Sequence, residues 1–203
     1  MLAAVILSAG ESSRMGSPKA LIPLRGTTFL GHLLEVIQQS RRDAHTGEEI
    51  GCTRVVLGAH STEITSKIPL DHSAIVLNPN WREGQLSSIK EAIRSLREIQ
   101  TDGIILFLVD HPLVSAELAG ELVRQFYATG RAIVLPKFGG KRGHPVIFAA
   151  RLYEELLAAP SEQGARAVVW AHPEEVLEVP TSEEGVVLNL NDPEALRRAL
   201  SSP

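Results

Sequence analysis

The chain has 203 residues, 44% of them hydrophobic and 22% charged, a soluble globular mixture rather than that of a disordered or fibrous chain. A formal net charge of −4 argues against a non-specific grip on nucleic acid or an anionic membrane, and no apolar run approaches the ~20 residues of a membrane span. The single cysteine, Cys52, reads as a reduced cytoplasmic thiol that cannot form an internal disulfide.

Residues 1–7 are apolar but lack a basic leader, and glycine-rich, charged sequence follows at once, so they read as a buried strand and not a signal peptide. Residues 3–7, 54–57, 74–77, 103–109 and 132–135 are runs of Val, Ile and Leu without polar alternation. Strands buried on both faces of a parallel sheet look like this. Helical candidates lie between them at 29–40, 86–98 and 116–128, the first with Leu30, Leu33, Leu34 and Ile37 at helical spacing. Residues 43–51 are polar and read as a surface loop. After residue 136 the pattern loosens into a glycine-rich turn, a strand at 145–148 and helices at 151–159 and 192–200, with Asp192 as a cap and Pro193 in the first turn. The alternation predicts one α/β domain over 1–203, doubly wound in three α/β/α layers around a mostly parallel sheet.

Three stretches carry chemistry. The first, Leu7-Ser8-Ala9-Gly10-Glu11-Ser12-Ser13-Arg14-Met15-Gly16-Ser17-Pro18-Lys19, leaves the first strand where open parallel sheets bind ligands. Gly10 and Gly16 permit close backbone approach to phosphate, and Arg14 and Lys19 add two cations to neutralise a triphosphate. The spacing is neither a P-loop, since five residues separate the glycines and Ser17-Pro18 precede the lysine, nor a Gly-x-Gly-x-x-Gly dinucleotide loop. Second, Asp110 ends the most apolar strand, where a carboxylate is costly unless paired, capping a turn or bound to a hard cation. His111 beside it reads as a hydrogen-bonding loop residue. Third, Asn78, Gly84, Ser87 and Ser88 gather amide and hydroxyl groups at a helix start, suited either to reading a base or ribose or to capping. Trp81 among them reads as a packing anchor. Further on, Arg142, Gly143, His144 and Pro145 form either a basic seat for an anionic acceptor or a solvated turn, and Asn189 to Glu194 contains at least a capped helix start.

These segments carry a resemblance. The first loop, continued by Ala20-Leu21-Ile22-Pro23-Leu24-Arg25-Gly26, is similar to the signature of the molybdenum cofactor nucleotidyltransferase family, within a wider class that includes sugar-phosphate nucleotidyltransferases. Ser8 replaces the first alanine of that family's Leu-Ala-Ala-Gly. The segment from Asn78 to Ser88 resembles its Asn-x-x-Trp-x-x-Gly-x-x-Ser-Ser run. Asp110-His111-Pro112 resembles its metal-binding Asp-x-Pro. His144-Pro145 lies in a Gly-His-Pro-Val run similar to that of the cytidylyltransferases, and Gly164-Ala165-Arg166 resembles an element of the acceptor side. Asn191 falls where the family has a second metal-holding acidic or amide residue, with Asp192 in place of threonine.

The resemblance implies a Rossmann-like nucleotidyltransferase fold and magnesium-dependent transfer of a nucleoside monophosphate to the phosphate of molybdopterin, with release of pyrophosphate. It gives Lys19, Arg14 and Asp110 catalytic roles, and Asp110 and Asn191 a Mg²⁺ ion. Leu7, Ser8, Ala9, Gly10, Arg14, Gly16, Lys19, Asn78, Gly84, Ser87 and Ser88 would hold the nucleotide, and Arg142, Gly143, His144, Pro145 and Arg166 the acceptor. Ala9 leans the donor toward CTP over GTP. The rival readings are a sugar or polyol phosphate acceptor, and a non-catalytic partner docking on a molybdoenzyme. Nicotinamide-dependent oxidoreduction lacks its loop glycines. No nucleic-acid or membrane partner is expected, and the expected compartment is the cytoplasm.

Overall fold

The computed structural model describes residues 1–13, 16–42, 49–191 and 193–201. In chain order the elements are β1 (Leu2–Ser8), β2 (Pro23–Leu24), β3 (Thr27–Thr28), α1 (Phe29–Arg42), β4 (Ile50–Leu57), α2 (Ser61–Lys67), β5 (Ile75–Leu77) and α3 (Gln85–Ser95). They continue with β6 (Gly103–Leu108), α4 (Ala116–Thr129), β7 (Ile133–Phe138), β8 (Lys141–Arg142), β9 (Val146–Ala149), α5 (Tyr153–Ala158), α6 (Arg166–Ala171), β10 (Val176–Pro180) and α7 (Pro193–Ser201).

The main sheet runs β10-β7-β9-β6-β1-β4-β5, with β8 paired to β7. β1 pairs in parallel with both β4 and β6, β4 with β5, and β7 with β10, whereas β9 runs antiparallel between β6 and β7. Every residue of β1 and β6 is buried, as their unbroken apolar runs require of central strands covered on both faces. Helices flank the sheet: α1 packs on α4, and α3 on α5. Phe29, Leu30, Leu33 and Ile37 are buried along α1, while Leu34 sits at the edge of that face, half-buried. This is the α/β/α arrangement that the alternation predicts.

Where element boundaries depart from expectation, pairing and packing explain it. β4 begins at Ile50 because that residue pairs with Leu2, so the polar stretch expected to be loop yields Ile50 and Gly51 to the sheet; residues 43–48 lie outside the described residues. Helix α2 has a single buried residue, Ile64, and therefore no apolar period to reveal it. β10 is only half-buried along most of its length and acquires its strand form from its ladder with β7. Residues Arg25 and Gly26 join β2 to β3 with φ of 48° and 88°, the positive values that a two-residue type I′ hairpin turn demands.

Helix α4 starts on a specific cap. Ser115 Oγ accepts the Leu118 N–H at 3.0 Å and donates to Glu183 at 2.5 Å, tying the helix start to the C-terminal region. Ser115→Ala is expected to lower stability by about 1 kcal/mol, seen as a lower urea midpoint at unchanged slope. Among the described residues, no helix is long and apolar enough to cross a membrane.

Candidate active site

β1 is the switch point of the sheet: the chain leaves it toward β4 on one side, and β6 arrives on the other. The crevice beyond the carboxyl ends of these strands is where such a sheet takes ligands. The first loop fills its floor. Ala59 N–H donates to the Ala9 carbonyl at 3.1 Å, and His60 Nε2 lies 2.8 Å from the Glu11 carbonyl. Ser12, at φ 56°, turns its hydroxyl to accept the Lys19 N–H at 3.0 Å. The loop therefore folds back and delivers Lys19 to the mouth of the crevice.

Three residues far apart in sequence meet there. Lys19 Nζ donates to Asp110 Oδ2 at 3.1 Å and to Asn191 Oδ1. Asp110 is carried by the extension of β6, where Val109 N–H bonds the Leu7 carbonyl at 3.1 Å. Leu190 N–H bonds the Asp110 carbonyl at 2.8 Å and so fixes Asn191 in place. Lys19 and Asp110 side chains are only 16% and 21% exposed, so their charges act with less screening than a surface pair. Two oxygen donors already converge on one cation, an arrangement a hard divalent ion can share with phosphate oxygens and water. Among the described residues there is no group of three or more His, Cys, Asp or Glu that could hold a metal ion.

Beside Lys19 and Asp110 opens a cleft of about 510 Å³, with Asn191 not on its wall. Leu7, Ser8, Ala9, Gly10, Lys19, Gly84, Ser88 and Asp110 from the expected site line it. Asn78 and Ser87 stand behind the wall. The Asn78 amide nitrogen donates to Ser87 and Ser88 at 2.8 and 2.9 Å, and its oxygen accepts the Asn80 N–H at 2.9 Å. With that amide spent on the bracket, Asn78 shapes the turn that presents Gly84 and Ser88. Gly16, at φ 67°, is not on the wall, and Arg14 lies outside the described residues. Trp81 and Arg82 do line the cleft, the guanidinium 4.2 Å from the indole centroid. Trp81 packs against the core as the sequence suggests and also lines the cleft; Arg82 is the residue that the sequence did not single out, and a cation next to an aromatic residue at a crevice mouth was the available signal.

A second cavity of about 460 Å³ adjoins the first, with Gln85 on both walls. Arg142, Gly143, His144 and Arg166 from the expected acceptor side line it, and Pro145 does not. Arg142 is engaged: its Nε donates to Glu178 at 2.7 Å. The His144 ring lies 5.2 Å from that of His111, and its Nδ1 is enclosed without a partner among the described residues. Burial pushes His144 down to about 4, and burial likewise lowers His111.

A histidine whose folded pKa lies below its ordinary 6.5 destabilises the fold as pH drops. Below 6.5 the unfolded chain takes up a proton that the folded chain refuses. Stability is therefore expected to be level above pH 7 and to fall by about 1–2 kcal/mol by pH 5, allowing for the partial exposure that the residue keeps. The carboxylates whose pKa values are lowered, such as Glu178, give up their contribution only below the normal carboxylate range. Urea denaturation at pH 7 and 5 reads the histidine effect, and His144→Asn is expected to reduce it, leaving the smaller part due to the lowered His111 and His32.

A parallel switch-point sheet with a glycine loop, a lysine and a facing carboxylate defines a class of nucleotide-handling α/β proteins. Residues 4–176 match the MobA-like NTP transferase domain, and the chain belongs to that family. The protein is accordingly a nucleotidyltransferase. It is 28% identical to the nicotine blue oxidoreductase of Paenarthrobacter nicotinovorans, over 97% of this chain and 95% of that one. It is 25% identical to the molybdenum cofactor guanylyltransferase of Sinorhizobium fredii, over 97% and 89%. With the molybdenum cofactor cytidylyltransferase of Escherichia coli the identity is 22%, over 94% and 91%. Among solved structures, Rv0371c of Mycobacterium tuberculosis superposes with a TM-score of 0.80 over the whole of both chains at 24% identity, a likeness of fold.

Proposed function

We propose that the protein transfers a nucleoside monophosphate, CMP from CTP by the lean of Ala9, to the terminal phosphate of a molybdopterin-type acceptor in molybdenum cofactor biosynthesis in the cytoplasm. The observation that carries this reading is the convergence of Lys19, Asp110 and Asn191 on one point beside the glycine loop.

The acceptor phosphate is already ionised at neutral pH, so in-line attack on the α-phosphorus needs no strong base. What it needs is charge neutralisation and alignment. Loop N–H groups and Lys19 bind the donor phosphates, with Arg14 as a second cation. Asp110 and Asn191 offer two oxygen ligands to a Mg²⁺ ion, which supplies further neutralisation of the triphosphate when bound. Nucleotide entry then exchanges the internal Lys19–Asp110 pair for Lys19–phosphate contacts, leaving the carboxylate free for the ion.

Both guanylyl- and cytidylyltransferases stand among the relatives, and one relative is named an oxidoreductase. Measuring pyrophosphate release with Mg²⁺, each NTP in turn and molybdopterin separates the two transferase readings, and a nicotinamide-dependent absorbance change tests for oxidoreduction. Turnover with CTP supports the reading, turnover with GTP moves the donor, and turnover only with a sugar or polyol phosphate replaces the acceptor. NTP binding without release under any acceptor supports a non-catalytic partner of a molybdoenzyme.

A further inference from the structure

The first loop is gripped from behind. Ala9, Gly10, Glu11 and Ser12 line the nucleotide cleft, whereas Ala59 and His60, in the turn between β4 and α2, do not. The loop therefore lies between that turn and the open space. Two alternate carbonyls of the loop point back at the turn. That of Ala9 accepts the Ala59 N–H at 3.1 Å, and that of Glu11 lies 2.8 Å from His60 Nε2. A carbonyl only accepts, so Nε2 carries the proton of this bond.

In a planar trans peptide the next N–H points opposite to the carbonyl. Tying back the Ala9 and Glu11 carbonyls thus turns the N–H groups of Gly10 and Ser12 away from the turn and toward the cleft. Among the described residues neither N–H has a hydrogen-bond partner. Ser12 stands at φ 56°, the left-handed step found in backbone nests that seat anions. His60 itself is oddly placed for a purely local role. It is the N-cap of α2 but makes no capping bond to that helix, where Ser, Asp or Asn would serve better. Its ring is spent on the loop instead. On the other edge of the ring Glu63, paired with Lys67 at 2.8 Å, stands 3.9 Å from Nδ1. The His60 side chain is 31% exposed, so replacing it removes a bond without opening the core.

We propose that His60 is a positioning residue for the donor nucleotide: by holding the Glu11 carbonyl outward, it aims the Ser12 N–H, beside that of Gly10, at a phosphate of the NTP. The inference rests on the transfer reading above and deepens it. Its ligand is the polyphosphate and not the base, so His60 sets how tightly any NTP is held and does not choose among them.

Calorimetric titration of the full chain with Mg²⁺–CTP, Mg²⁺–GTP and Mg²⁺–tripolyphosphate, which has neither base nor ribose, tests this well below the melting temperature of every variant. His60→Ala is expected to weaken all three by the same factor, about tenfold, as loss of one preorganising hydrogen bond does. His60→Gln, whose amide N–H can still reach a carbonyl, is expected to recover most of that loss. Amide hydrogen exchange should quicken at residues 9–13 in His60→Ala and stay unchanged in the core strands. Equal tripolyphosphate affinity in His60→Ala and wild type overturns the proposal. So does a loss confined to the nucleotides, which would set His60 against base or ribose. Loop exchange that quickens in His60→Ala, in a protein whose wild type binds none of the three ligands, leaves the strut standing and removes the transfer reading instead.

Discussion

Lys19→Ala is expected to lower kcat by about a hundredfold or more, the usual cost of removing one preorganised contact to developing charge. The fold should survive. Lys19 and Asp110 side chains retain 16% and 21% exposure, so water can still reach the group left unpaired and the loss of stability is about 1–3 kcal/mol, less than for a fully buried pair. Asp110→Ala is expected to match it in kcat for a different reason, loss of an oxygen ligand instead of a cation. The two variants separate in their response to Mg²⁺. Raising the ion concentration should recover part of the rate in Asp110→Asn, which keeps one carbonyl oxygen, and none in Lys19→Ala. Steady-state pyrophosphate release against Mg²⁺ concentration, with circular dichroism melting as the folding control, measures both. Near-normal turnover in Lys19→Ala and Asp110→Ala together would remove these residues from the site.

The second large effect is expected from Gly58→Ala, a residue that touches no ligand. A Cβ at this position would stand 2.5 Å from the Ala9 carbonyl and 2.8 Å from Trp81 Cβ. Neither is the pliable end of a side chain, so the first loop and the Trp81 turn must move apart. Both line the nucleotide cleft, and the adjoining Ala59 N–H to Ala9 bond of 3.1 Å is placed under strain. We expect about 1–3 kcal/mol of lost stability, in keeping with overpacking at a close-packed contact, together with at least tenfold weaker Mg²⁺–NTP binding. Urea denaturation and calorimetric nucleotide titration read the two effects separately. Unchanged nucleotide affinity in a measurably destabilised variant would mean that the loop adapts independently of the β4–α2 turn.

Much of this protein was determined by its sequence alone, because the relevant signals are local. An unbroken apolar run such as that of β1 or β6 can only be satisfied inside a sheet covered on both faces. A glycine loop leaving such a strand toward Lys19 marks the crevice end, and a carboxylate after Leu108 and Val109 marks the strand that faces it. Tertiary structure decided what depends on contacts between distant residues. Helix α2 and strand β10 carry too few buried residues to show a period, and they owe their form to neighbours in space. The amide of Asn78 looked free for a base and is consumed by Ser87, Ser88 and Asn80. Arg142, expected on the acceptor side, donates its Nε to Glu178, 36 residues away, a pairing that its local sequence does not show. Asn191 meets Lys19 across 172 residues because Leu190 bonds the Asp110 backbone, and no local spacing encodes that meeting. Sequence fixes which groups are present and which way each element faces the core; only the closed chain decides which polar groups are already paired and which remain for a ligand.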